Sequence, residues 1–304
     1  IYEPEKVVGS IQDFKSIRFM RLFMRGISDQ MILRFATLEL VRGDWRKYNL
    51  SLLEATEMLS TPEYTRGKFE VSSVNIEENG NRYPVNYVLP PDVTRITDPT
   101  NPHMIQKNEQ SIALKVENLE DGDARAAYKN VAYDFRQYRK LQMFVHAEAI
   151  DENELEDGEL RAFIRVGSDY TQNYYEYEVP LTLTPHISFP VKYDQNSPID
   201  REKVWPMENN MEIVLEVFQA VKQARNDAMR VAGSIINLST VYEGFDGNNR
   251  VMVKGNPNLS NIRTIMVGVR NPASKGVNDL DDGAPKTAMI WMNELRLTDF
   301  NEDG

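Results

Sequence analysis

GELRAFIRV (Gly158 to Val166) and YYEYEVPLTL (Tyr174 to Leu183) decide the fold class. In the first, Leu160, Ala162, Ile164 and Val166 fall on one face and Arg161 and Arg165 on the other. In the second, Tyr175, Tyr177 and Val179 oppose Glu176 and Glu178. A period of two is the pattern of a β-strand with one apolar face. Working outward, LQMFVHAEA (Leu141 to Ala149), Ser111 to Val116, Thr240 to Phe245 and Arg250 to Lys254 read as further strands. Turn clusters such as Asp246-Gly247-Asn248-Asn249 separate them. Many short strands with such punctuation predict a mainly β protein, a jelly-roll-like (galactose-binding-like) antiparallel β-sandwich.

One α-helix is expected inside it, near residues 210–230. From Asn210, Ile213, Val217, Val221 and Ala224 recur at helical spacing, with Asn209 or Asn210 as N-cap and Gly233 as stop. A weaker helix is expected over Ser51 to Leu59. Pro84 to Pro102, with Pro90-Pro91, Pro99 and Pro102, reads as an extended connection or surface arm.

An internal repeat bears on domain organisation. Ser16 to Arg25 aligns with Asn261 to Arg270, so that Ile17 matches Ile262, Arg18 Arg263, Leu22 Val267 and Arg25 Arg270. Each copy is followed by a second strand that changes phase midway. Leu33 and Phe35 give way to Leu38 and Leu40, and Ile290 and Met292 to Leu295 and Leu297. A phase change inside a strand predicts a β-bulge or bend, and each copy is expected to form a hairpin. Residues 1–58 are accordingly expected to be the closing strands of a truncated preceding sandwich module plus a linker helix, and 64–304 a complete sandwich domain. The chain opens Ile1-Tyr2-Glu3-Pro4 and reads as a piece of something longer.

Composition narrows the function. The 304 residues are 41% hydrophobic and 27% charged, an ordinary globular balance. Lys plus Arg number 35 against 46 Asp plus Glu, a net charge of -11 that repels phosphate backbones and anionic membrane surfaces. With no Cys, disulfides, thiolate zinc sites and thiol nucleophiles are excluded. No apolar run reaches the roughly 20 residues of a membrane-spanning helix.

No catalytic motif stands out. GxSxG, HExxH and GxxxxGK[ST] are absent, and among so many acids no carboxylate pair is singled out for glycoside hydrolysis. No cofactor is expected. His146, with Glu148 at i+2, is at most half of a metal site, and a hydrogen-bonded strand histidine is the plainer reading. His103 and His186 follow prolines in loop-like contexts. The acidic runs Glu152 to Glu159 and Asp279 to Asp282 offer ligands for a structural calcium but lack the spacing of an EF-hand; solvated loops are their default. Tyr170, Tyr174, Tyr175 and Tyr177 surround Gly167-Ser168-Asp169. On a sandwich surface such a row makes a sugar-stacking platform, with Asp169 and Asn173 as hydrogen-bond partners. Asp169, Tyr170, Asn173 and Tyr174 are therefore the candidate ligand or partner surface, and a carbohydrate-binding module is the alternative function. The plainer alternative packs Tyr175 and Tyr177 in the core and lays the others over an edge.

Ordered segments over nearly the whole chain carry a resemblance. They are Ile17 to Arg21, Leu33 to Arg46, Val74 to Asn79, Tyr87 to Pro91, Asn108 to Ser111, Gly122 to Lys129, Met143 to Glu148, Gly167 to Asp169, Asn173 to Tyr177 and Asn271-Pro272. Together the chain resembles an internal part of the SprA (Sov) family of Bacteroidota, outer-membrane proteins of type IX secretion and gliding motility. The resemblance implies a non-catalytic structural or interaction module of a giant export channel at the outer membrane. It also implies a PorV-like shuttle protein, a periplasmic plug protein and secreted cargo as partners.

Overall fold

The computed structural model describes residues 44–52, 67–95, 97, 106–150, 155–273 and 282–300, with isolated positions at 21, 23, 25–26, 31–32 and 34. The chain divides into two compact units, residues 1–42 and 43–304. Most of the first copy of the repeat, residues 53–59 of the helix expected over Ser51 to Leu59, and His103 lie outside the described residues; Ser51 and Leu52 are described and are not helical.

The second unit is an antiparallel β-sandwich. Its strands are β1 (Arg46–Lys47), β2 (Lys68–Asn75), β3 (Gln110–Leu119), β4 (Ala124–Tyr133), β5 (Tyr138–Ala149), β6 (Arg161–Gly167), β7 (Tyr174–Pro180), β8 (Met211–Val214), β9 (Tyr242–Asp246), β10 (Asn249–Lys254), β11 (Ile262–Arg270) and β12 (Lys286–Phe300). Seven form one sheet in the order β1-β4-β11-β6-β7-β10-β9, and five form the other in the order β2-β3-β12-β5-β8. Residues 44–52, grouped on sequence with the preceding module, belong to this unit, where Arg46 and Lys47 pair with Tyr128 and Ala127.

The alternation read from the sequence builds the core. Ala162, Ile164 and Val166 of β6, Tyr175, Tyr177 and Val179 of β7, and Ile265, Val267 and Val269 of β11 meet Val145 and Ala147 of β5 and Ala288, Ile290 and Met292 of β12. The phase change in β12 is a bulge. Asn293 pairs with Phe144 and Arg296 with Gln142, so one extra residue stands on β12, and Glu294 takes a left-handed φ of 53°. The bulge returns Leu295 and Leu297 to the same core as Ile290 and Met292. The expected β11–β12 hairpin is not formed, because β11 lies in the seven-stranded sheet and β12 in the five-stranded one.

Among the described residues three α-helices accompany the sheets: α1 (Ile76–Asn79), α2 (Pro198–Val204) and α3 (Glu216–Met229). The helix expected from Asn210 starts six residues later, and the first part of that segment is β8. Ile213 satisfies both patterns: it lies four residues before Val217, yet it pairs with Leu141 as a strand residue. Asn209 caps nothing. Its side-chain amide donates to Thr182 O (2.8 Å) and its Oδ1 accepts from Thr182 N (2.7 Å). Phe218 and Val221 of α3 fill the core beneath β9 and β10, where the five-stranded sheet is narrower.

Pro84 to Pro102 is not a surface arm at its start. Val85, Tyr87, Val88 and Leu89 are buried with Tyr193, Val204, Trp205 and Trp291 against the outer face of the five-stranded sheet. The segment lacks periodicity because side chains, not a ladder, satisfy its backbone. Trp205 Nε1 donates to Val88 O (2.8 Å), Arg201 Nε to Leu89 O (2.9 Å), and Gln195 Oε1 accepts from Leu89 N (2.8 Å).

Candidate functional site

The densest chemistry lies on the outer face of the seven-stranded sheet. In β6, β7, β10 and β11 the residues that alternate with the core positions include Arg165, Glu176, Glu178, Arg250 and Arg270, all buried. Register places opposite charges side by side: Arg165 faces Glu176 and Arg250 faces Glu178 across adjacent strands. Arg270 reaches both carboxylates, with Nη2 2.9 Å from Glu176 Oε1 and Nε 2.6 Å from Glu178 Oε1. Arg250 Nε lies 2.7 Å from Glu178 Oε2, and Arg165 pairs with Glu176. The rim of the ladder is aromatic, since the Arg165 guanidinium stacks 3.8 Å from the Tyr174 ring centre and Arg270 lies over Phe163. Part of the cover is Tyr48 and Leu52, with Leu52 O accepting from Arg270 Nη1 at 3.1 Å.

Burial opposes ionisation of Glu178, but Arg270 and Arg250 outweigh it and hold its carboxyl down at about 2. A carboxylate held in its charged form is no proton donor at neutral pH, and full burial keeps this one from meeting a substrate. The chemistry available to the ladder is therefore structural: fixed charges that set strand register and select what lies over the sheet.

The residues singled out on sequence sit at one end of this ladder, Asp169, Tyr170 and Asn173 in the loop joining β6 to β7 and Tyr174 as the first residue of β7. Asp169 Oδ1 accepts from the backbone N–H of Thr171 (3.0 Å), Gln172 (2.6 Å) and Asn173 (3.1 Å), and its Oδ2 accepts from Asn173 Nδ2 (2.9 Å). Although partial burial opposes it, this fan of donors lowers the Asp169 pKa. Asn173 Oδ1 in turn accepts from Asn256 N (2.9 Å). The loop is held so tightly that a Cβ on Gly255 would stand 2.0 Å from Gln172 O. Tyr174 is fully buried under Arg165. Tyr170 is half-buried in an aromatic group with Tyr128 (4.8 Å between ring centres) and Tyr48 (6.0 Å), and its hydroxyl donates to Asn130. Burial pushes that hydroxyl up to about 12. Tyr175 and Tyr177 point into the core, their hydroxyls donating to Pro257 O (3.1 Å) and Asp246 Oδ2 (2.8 Å).

His146 lies on the outer face of the other sheet. Its ring stacks on Trp291 at 3.9 Å, and Nδ1 lies 2.7 Å from Val204 O and 2.9 Å from Thr184 Oγ1. Because the carbonyl can only accept, Nδ1 carries the proton. Burial pushes the His146 pKa down to about 3. Glu148 pairs with Arg82, and burial raises its pKa. Of the acidic runs considered for calcium, residues 152–154 and 279–281 lie outside the described residues, while Glu159 and Asp282 share one ammonium: Lys286 Nζ lies 2.6 Å from Glu159 and 2.8 Å from Asp282. Among the described residues there is no cluster of three His, Cys, Asp or Glu placed to hold a metal, and no helix is long and apolar enough to cross a membrane.

The sequence pattern placed these charges opposite the core face but did not show that they are buried. Arg165, Glu176 and Glu178 fill the polar half of an alternating pattern, which normally marks a solvated face. The available signal was the pairing of opposite charges on consecutive strands, which carries more weight in strands whose apolar faces are central to the core.

A family model described as a motility related/secretion protein, SprA_N, matches residues 1–304, the whole chain. No curated protein matches it.

Proposed function

We propose a function from one premise: the chain belongs to the SprA_N family of motility-related and secretion proteins over its whole length. On that premise it acts as a non-catalytic structural and interaction module of a type IX secretion channel, in an outer-membrane protein that also serves gliding motility. The whole-length family match carries this reading. The buried ladder supports it, because its central carboxylate, Glu178, is held as a permanent anion by Arg250 and Arg270 and serves packing rather than proton transfer. The module's mechanism is steric and electrostatic: covered sheets give a rigid wall, and a net charge of -11 biases which surfaces dock. A PorV-like shuttle, a periplasmic plug protein and exported cargo are the proposed partners.

Crosslinking in cells with the tagged parent protein, followed by mass spectrometry, tests it. Crosslinks from residues 64–304 to a shuttle, a plug or an exported protein support the module. Glycan or peptide hydrolysis by the purified chain, abolished by a single carboxylate substitution, would sink it.

The alternative, a carbohydrate-binding module at Asp169, Tyr170, Asn173 and Tyr174, keeps one supporting observation, the half-exposed Tyr170 ring in its aromatic group, whereas the buried Tyr174 ring offers no stacking face. Sugar-dependent tyrosine fluorescence, lost in Tyr170→Ala, would bring it forward; a flat response across a glycan array removes it.

A further inference from the structure

The seven-stranded sheet ends in β9, and the geometry of that edge is set by its hairpin. Asp246 pairs with Asn249 around the two-residue turn Gly247-Asn248, with Gly247 at a φ of 60°. In a two-residue hairpin the closing pair is the hydrogen-bonded one, and hydrogen-bonded pairs then alternate along the ladder. Asp246, Gly244 and Tyr242 therefore bond to β10, while the N–H and C=O of Glu243 and Phe245 point away from the sheet. On the same strand Phe245 is 69% exposed and Val241, just before it, 37% exposed. The strand is approached by Val231 to Tyr242 (VAGSIINLSTVY), a stretch without a single charge that leaves Ile235 90% exposed. The only charges on β9 itself, Glu243 and Asp246, are acidic. Long Lys residues, prolines and bulges commonly protect edges from pairing, and β9 has none of them.

We infer that the outer edge of β9 takes up an extended, basic-apolar strand from another polypeptide by β-augmentation. Main-chain groups of Glu243 and Phe245 supply the hydrogen bonds. The Phe245 and Val241 side chains, on one face, receive apolar residues, while the exposed Asp246, on the opposite face, favours a lysine or arginine; Glu243 is already paired with Arg250 at 3.3 Å. A second copy of this chain fits the edge less well. Five residues give an edge about 17 Å long, too little for the roughly 800 Å² per partner of a stable interface. The two-fold register centred on residue 243 would also set Glu243 against its own copy.

The test uses the whole chain and a labelled peptide of alternating lysine and valine, read by fluorescence anisotropy. The peptide is expected to bind, at least tenfold more tightly than a peptide of equal charge with proline at alternate positions. Glu243→Pro, which removes one outward N–H and leaves the β9–β10 bonds intact, is expected to abolish that difference. Should Glu243→Pro lose the native circular dichroism, Phe245→Lys replaces it, placing a like charge against the probe at an exposed position. Equal binding of the two peptides, or unchanged binding by the folded variant, overturns the inference. So does a concentration-dependent dimer in sedimentation that Glu243→Pro abolishes, because the occupant is then a second copy.

Discussion

The two sheets are each covered on the face turned away from their shared core, and the faces so covered differ in chemistry. On the five-stranded sheet, Trp291 and the neutral ring of His146 pack with Tyr87 and Trp205. The seven-stranded sheet carries a lattice of arginines and glutamates. Aromatic burial stabilises through area and is tolerant of conservative exchange. A buried charge lattice contributes little net stability against an apolar replacement, yet is costly to break, because each lost partner strands an opposite charge. The molecule thus has one adaptable outer face and one that accepts little change.

The largest expected effect follows from breaking the lattice at its centre. Arg270→Ala removes the guanidinium shared by Glu176 and Glu178 and should lower the unfolding free energy by about 3–5 kcal/mol in urea titrations. A loss below about 1 kcal/mol would mean that the two faces do not differ as described.

Acid should separate the faces by pH window. The folded pKa of His146 is about 3, against 6.5 for the free side chain, so protons bind the unfolded chain more readily. Its contribution is present above pH 6.5 and is lost as pH falls from there toward 3, at up to about 1.4 kcal/mol per pH unit. Glu178 is depressed from 4.5 to about 2, so its contribution is present above 4.5 and is lost between 4.5 and 2. Urea midpoints measured from pH 7.5 to 4 should begin to fall near 6.5, and in His146→Phe near 4.5. Parallel curves for the two proteins would place the acid sensitivity elsewhere.

Smaller effects sharpen the aromatic side. Trp205→Phe keeps most of the ring packing but deprives Val88 O of its donor, an expected loss of about 1–2 kcal/mol. At the bulge, Glu294→Gly relieves a left-handed φ and should raise stability by about 0.5–1 kcal/mol in the same assay.

Much of this architecture was legible in the residues. The alternation in β6 and β7 located the core face, and the phase change between Met292 and Leu295 located the bulge in β12 within two residues. What failed had a common cause. The burial of Arg165, Glu176 and Glu178 is not visible in the pattern, and Pro84 to Pro102 reads as either an extended connection or a surface arm, because a single strand's pattern does not reveal that a third layer covers its polar side. Ile213 was assigned to a helix because four-residue spacing to Val217 outweighed a short strand whose partner, Leu141, lies far away in sequence. Tertiary partners decide such cases, and they are remote in sequence.

β12 has a mechanical consequence. It runs fifteen residues, and its partnership with β5 extends from Ala288–Ala149 to Phe300–Tyr138, past the end of β3. Bonds in an antiparallel ladder lie across the strand axis. Tension along β12 therefore loads the whole row at once in shear, whereas peeling would break the bonds one by one. A module drawn on lengthwise through this strand is a stiff tie, and the bulge at Glu294 is the place along it where the load path bends.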